Sequence, residues 1–139
     1  MTQVDAAKAI KTALAEHFAD IEDYTCTATL EVADDYRPVA GSPVLLVADD
    51  GGTAVIGGPW LVGHDMHRIT VRLTAFARGR TEARTTLEAA IEHLLTAKPA
   101  GIARIENVPA VLDTKDRETG AYLASITMPV VVRPITATN

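Results

Sequence analysis

One cysteine, Cys26, stands alone among 139 residues. An internal disulfide is therefore excluded, and the chain does not read as a secreted disulfide scaffold. Aromatic side chains are scarce, with one tryptophan, three tyrosines and two phenylalanines, so a stacking platform for nucleic-acid bases is not expected. Lys and Arg number 13 against 18 Asp and Glu, a formal net charge of -5. That balance argues against sequence-independent binding of nucleic acid, which needs clustered cations to neutralise phosphate. The apolar runs at residues 43–48 and 128–132 are far shorter than the roughly 20 residues of a membrane-spanning helix. Residues 1–9 carry Asp5 and Lys8 and no apolar core, unlike a signal peptide. These absences point to a protein made in a reducing cytoplasm, with no membrane partner.

What is present is ordinary globular chemistry: 47% hydrophobic and 22% charged residues. Residues 1–139 fit one domain, able to bury about two-thirds of its unfolded surface without metal or disulfide. The last six residues, 134–139, read as a flexible tail.

Hydrophobic periodicity gives the elements. Val4, Ala7, Ile10, Leu14 and Phe18 recur at steps of three and four, one face of a first helix. Thr2 with Asp5 resembles a capping box at its start. Residues 24–32 alternate, with Cys26, Ala28 and Leu30 on one side and Thr25, Thr27 and Thr29 on the other, which predicts a half-buried strand with Cys26 as a small core residue. Residues 43–48 predict a buried strand. Asp49-Asp50-Gly51-Gly52 reads as a turn that breaks it, and residues 53–56 as a returning strand. Gly57-Gly58-Pro59 breaks the chain again, so residues 59–65 read as a loop or the tip of an arm. Residues 67–75 alternate between an apolar side and one bearing Arg68 and Arg72, the clearest strand in the chain. A second helix is predicted over 81–97, with Ala83, Leu87, Ala90, Ile91 and Leu94 as its stripe and Arg84 with Glu88 as an i,i+4 pair. Lys98-Pro99-Ala100-Gly101 ends it. A hairpin closes the chain: a lead-in at 110–114, a turn at 116–120 and a strand over 122–132. Pro129 cannot donate to a ladder, so that strand is expected at an edge or bulged there. The simplest packing is an α+β fold, a largely antiparallel mixed β-sheet with two α-helices on one face.

Motifs for catalysis are weak. His64-Asp65-Met66-His67 is the best metal candidate, yet on a strand that spacing points the two imidazoles to opposite faces, and no neighbouring ligand completes a set. Asp49-Asp50-Gly51-Gly52 lacks the alternate oxygens and closing glutamate of a calcium loop. Ser42, Ser125 and Cys26 sit in no glycine-framed elbow, and Gly57-Gly58 is not followed by a helix as a phosphate loop requires. No catalytic residue, no cofactor and no metal site are expected. Arg68, Arg72, Arg78, Arg80 and Arg84 form a basic cluster, read first as a solvated face paired with acidic residues of this chain or a neighbouring copy. Trp60, Leu61 and Val62 lie in a glycine-flanked loop, and exposed apolar residues of that kind mark contacts with other chains. Residues 49–65 are thus expected to be a mobile arm hinged by glycine pairs. Asp49 and Asp50 would stand at its base, Trp60, Leu61, Val62 and His64 towards its tip, and Arg68 and Arg72 on the strand behind it; these are the candidate interface residues.

Three stretches together resemble the tail terminator proteins of long-tailed bacteriophages, particularly those infecting actinobacteria: Val44-Leu45-Leu46-Val47-Ala48-Asp49-Asp50-Gly51-Gly52; the passage from Arg68-Ile69-Thr70-Val71 to Gly79-Arg80-Thr81-Glu82-Ala83-Arg84; and the closing hairpin from Asp116 through Thr119-Gly120-Ala121-Tyr122 to Arg133. Length and element order agree over nearly the whole chain. The resemblance implies a virion protein, assembled in the host cytoplasm, that forms a six-membered ring on the head-proximal end of the tail tube. It would stop tube polymerisation and present a surface to head-completion proteins, with the major tail tube protein as its other partner. DNA would pass through the lumen without specific binding. The family carries no catalytic residues. Competing readings are another neck or minor tail component, a small metal-dependent or ligand-binding enzyme using His64, Asp65 and His67, and a monomeric adaptor that takes a peptide at a strand edge.

Overall fold

The computed structural model describes residues 5–21, 25–56, 66–97, 99–106 and 110–132, and within these the side chains of all but 50–56, 66 and 67. Helix α1, Ala6–Ala19, opens the described chain. Its cap is Asp5, whose carboxylate accepts the Lys8 amide hydrogen at 3.1 Å, rather than Thr2, which lies outside the described residues. Such a cap contributes about 1 kcal/mol. Ile10, Leu14 and Phe18 are buried as the periodicity requires.

Strand β1 is only Thr27–Thr29, much shorter than the alternation over 24–32 suggests. Thr29 itself ends it: its hydroxyl donates to the Glu31 carbonyl at 2.8 Å and accepts the Glu31 amide hydrogen at 3.2 Å. That local turn takes the backbone groups a longer strand would use, and Leu30 is left 44% exposed instead of facing the core. The connection to the next strand is pinned by the Tyr36 ring, edge-on to Phe76, and by the Gly41 amide, which donates to Glu82 at 3.0 Å.

Strand β2 runs without interruption over Val44–Ile56. Asp49-Asp50-Gly51-Gly52 is therefore not a turn, and the first half of the expected arm belongs to the sheet. The ladder with β3, Met66–Ala77, shifts between Asp49 and Thr53. Asp50, Gly51 and Gly52 stand opposite the single residue Thr70, since Asp49 pairs with Val71 and Thr53 with Ile69. The glycines thus absorb a bulge, which adds residues to one strand while pairing continues on either side. Residues 57–65 lie outside the described residues.

Helix α2, Arg80–Thr96, buries Ala83, Thr86, Leu87, Ala90 and Leu94. Pro99 is buried just past its end, and Gly101 turns the chain at φ 86°. A four-residue strand follows, β4, Ile102–Ile105, too short for its alternation to register in the sequence. Strand β5, Leu112–Lys115, and strand β6, Tyr122–Val132, form the expected hairpin. Its turn is tied by the Asp116 carboxylate, which accepts from the Thr119 hydroxyl at 2.8 Å and the Glu118 amide at 3.1 Å. These donors hold the Asp116 carboxyl below its ordinary value, the Thr119 hydroxyl first.

The strands form one mixed sheet in the order β1-β2-β3-β6-β4, with β5 also on β6. Only β1–β2 is parallel. Strand β6 is neither an edge nor bulged against β3: Pro129 pairs in register with Thr70. The Pro129 carbonyl accepts the Glu106 amide at 2.8 Å, so its nitrogen also faces the β4 side, because a residue's N–H and C=O point the same way across an antiparallel ladder. The missing donor falls just past the end of β4 and leaves the β3 ladder whole.

The helices cover one face. Leu45 and Val47 of β2, the alternate residues of β3 from Ile69 to Ala77 and those of β6 from Ala124 to Val132 join the stripes of α1 and α2 in one buried cluster. Helix α1 lies over β1 and β2, and α2 over β3 and β6. Across the other face run the rows Val44–Phe76–Leu123, Leu46–Thr74–Ser125 and Ala48–Arg72–Thr127.

Candidate functional site

The sheet ends in two edges of different character. On one side β1 covers β2 only at Val44, Leu45 and Leu46. Among the described residues no strand pairs with the outer side of β2 beyond the Val47 amide, as far as Ile56. The outward positions follow from the ladder. Thr27 donates to the Pro43 carbonyl at 3.1 Å, so Pro43, Leu45, Val47 and Asp49 turn their backbone groups outward while Leu46 and Ala48 bond to β3. The Val47 amide still donates to the Thr29 carbonyl, since Thr29 pairs with Leu46; among the described residues the Val47 carbonyl and both peptide groups of Asp49 meet no partner strand along this edge. Its exposed charges are acidic: Asp49, and Glu31 just past β1. Asp50 belongs to the same edge through its backbone.

On the other side the edge is made of β5 and β4 end to end, both antiparallel to β6. Lys115 and Arg104 are exposed there, and Leu112 is 72% exposed. The two acids beside this edge are already matched. Asp113 takes Arg84 at 2.7 Å and Arg80 at 3.4 Å, with Glu88 lying 3.9 Å from Arg84. Glu106 takes Arg68 at 2.7 Å and Arg104 at 3.0 Å. The hydrogen bond from Arg68, then that from Arg104, holds the Glu106 carboxyl below its ordinary value. Two guanidiniums on each carboxylate, with Lys115 in addition, leave this edge cationic.

The predicted site residues are dispersed accordingly. Asp49 and Asp50 lie at the bulge of the acidic edge. Arg68 stands on β3 between Ala54 and Val131 and reaches Glu106 just past β4, and Arg72 lies on the face away from the helices, paired in register with Ala48 and Thr127. Trp60, Leu61, Val62, His64 and Asp65 lie outside the described residues, and the arm tip with them; of the histidine pair weighed for a metal, His67 alone is described, by its backbone in β3 beside Val55 and Val132. The basic cluster divides: Arg68 reaches Glu106, whereas Arg80 and Arg84 reach Asp113, both acids of this chain. Those partners are 29 to 38 residues away, a separation at which no local pattern signals a contact. Cys26 packs partly buried against the core, and burial pushes its thiol up to about 12.

Sequence reasoning missed a second feature. The last turns of the two helices meet, and His17 and His93 stack with ring centroids 3.9 Å apart and an interplanar angle of 13°. They line an open groove of about 770 Å³ together with Lys8, Glu16, Asp20 and Pro99. Parallel rings direct their lone pairs side by side, not towards a shared ion, and no group of three or more metal-binding side chains occurs among the described residues. Burial first, and then the charge of His17, lowers the His93 pKa. No helix among the described residues is long and apolar enough to cross a membrane.

Neither a protein-family model nor a curated protein matches this sequence.

Proposed function

We propose that this chain is a structural subunit of a bacteriophage tail, a terminator that assembles as a six-membered ring on the head-proximal end of the tail tube. One observation carries the reading beyond the resemblance. Among the described residues the sheet has two uncovered edges of opposite charge, and a repeating subunit needs two different surfaces, one to give and one to receive. Heterologous contacts of that kind close into rings when the rotation allows. The stretches that carry the resemblance fall on β2 with its bulge, on the passage from β3 into α2, and on the β5–β6 hairpin that ends the cationic edge. In this reading the ring stops addition of tube subunits, offers its other rim to head-completion proteins, and lets DNA slide through without specific contacts, as a chain of net charge -5 favours. The chain performs no catalysis in this role.

The reading is tested by adding the purified protein, well below stoichiometry, to tail tube subunits polymerising in vitro. Tubes should stop short and carry extra density at one end. Unchanged tube length with bare ends would reject it.

A further inference from the structure

The strand directions specify how neighbouring copies join. Strands β2 and β6 are each antiparallel to β3, so they run the same way. Strands β4 and β5 are antiparallel to β6 and hence to β2; β1 is parallel to β2. A rotation about an axis along the strands preserves these directions. It brings the β1–β2 edge of one copy beside the β5–β4 edge of the next in antiparallel sense, the commoner kind of pairing.

We infer that copies of this chain associate head to tail by continuing the sheet, with the open β1–β2 edge of one copy pairing antiparallel with the β5–β4 edge of the next. This deepens the reading of the chain as a ring subunit and rests on it for the identity of the partner, a second copy. The Val47 carbonyl and the peptide groups of Asp49, which meet no partner strand among the described residues, supply acceptors and a donor on one side. Asp113 and Lys115 supply them on the other, since alternation along β5 turns Leu112 and Thr114 towards β6. Charge selects the pairing. Two β1–β2 edges facing each other would set Glu31 and Asp49 against the same two acids, whereas the β5–β4 edge presents Lys115 and Arg104. Acidic residues and a bulge at an edge strand ordinarily guard against indiscriminate pairing. Here they exclude the like edge and leave the cationic one acceptable.

Two edge-blocked variants test this without assuming a register. Asp49→Pro removes an outward N–H from β2, and Lys115→Pro removes one from β5; neither touches the inner ladders. Circular dichroism confirms that each is folded; should a proline variant fail to fold, Asp49→Lys with Lys115→Glu serves as a second pair, each monomeric alone and the mixture assembling beyond dimers, because the swapped charges match at both junctions. At concentrations where the wild-type chain forms oligomers in light scattering, each variant alone should stay monomeric, with self-association weakened on the order of tenfold or more. An equimolar mixture of the two proline variants should form dimers and nothing larger, because each supplies one intact edge. Self-association of Lys115→Pro alone, a mixture that stays monomeric, or a wild-type chain that never associates would overturn the inference. If both variants close into rings like the wild type, the ring stands and the edge pairing falls. If the wild type forms open filaments while the variants behave as described, the pairing stands and the ring reading falls.

Discussion

At the level of single residues, stability rests on a few fully buried aliphatics. Leu73 at the centre of β3 and Leu87 on the inner face of α2 are both wholly excluded from solvent. Leu73→Ala or Leu87→Ala should cost about 2–5 kcal/mol, read as a lower urea midpoint at unchanged slope. Asp5→Ala should cost about 1 kcal/mol through the lost cap. His93 gives a pH signature. Its pKa is lowered in the folded protein by burial and by His17, while Lys8, Glu16, Asp20 and Asp5 share the groove. Below its ordinary value of 6.5 the unfolded chain binds the proton more readily, so acidification favours unfolding. The thermal midpoint should therefore decline as pH drops from about 6.5 towards 5, and His93→Gln should flatten that decline. A midpoint of the wild type that is constant across this interval would show that the stacked pair is not held as described. The depressed carboxyls of Glu106 and Asp116 add a second loss at lower pH, because protonation dissolves the bonds that depress them.

At the level of elements, patterns longer than two turns or five residues were legible, and short or long-range features were not. The stripes Ile10–Leu14–Phe18 and Ala83–Leu87–Ala90–Leu94 located both helices, and alternation located β3 and β6. The error at residues 24–32 came from a side-chain turn: Thr29 suits a strand by its branching, yet its hydroxyl captured Glu31. Glycine pairs mark both turns and bulges, and only the partner strand decides which; β3 was long enough to pair on both sides of Gly51-Gly52. Pro129 was read as an edge signal because the sequence does not reveal which neighbour a missing N–H faces. The acidic edge was half visible in Asp49 and Asp50. The cationic edge was hidden, since Asp113 and Glu106 meet their arginines only through the fold. The unpaired stretch of β2 makes its own prediction. In the isolated chain the amides of Leu46, Val47 and Ala48 should exchange slowly, and that of Asp49 quickly. Uniform protection from 46 to 49 would mean that the edge is already covered.

At the level of the whole molecule, the central claim is that this chain closes into a ring through two unlike edges. A net charge of -5 per copy makes copies repel at long range, so free protein at low micromolar concentration should be mostly monomeric, with rings favoured at high concentration or on a tube end. The most direct measurement is electron microscopy of the concentrated protein, with class averages of the assembled species. Closed rings of sixfold symmetry are expected, with the sheets continuous from one subunit to the next. Two-fold dimers joined through like edges, or monomers at every concentration and on tube ends, would contradict it.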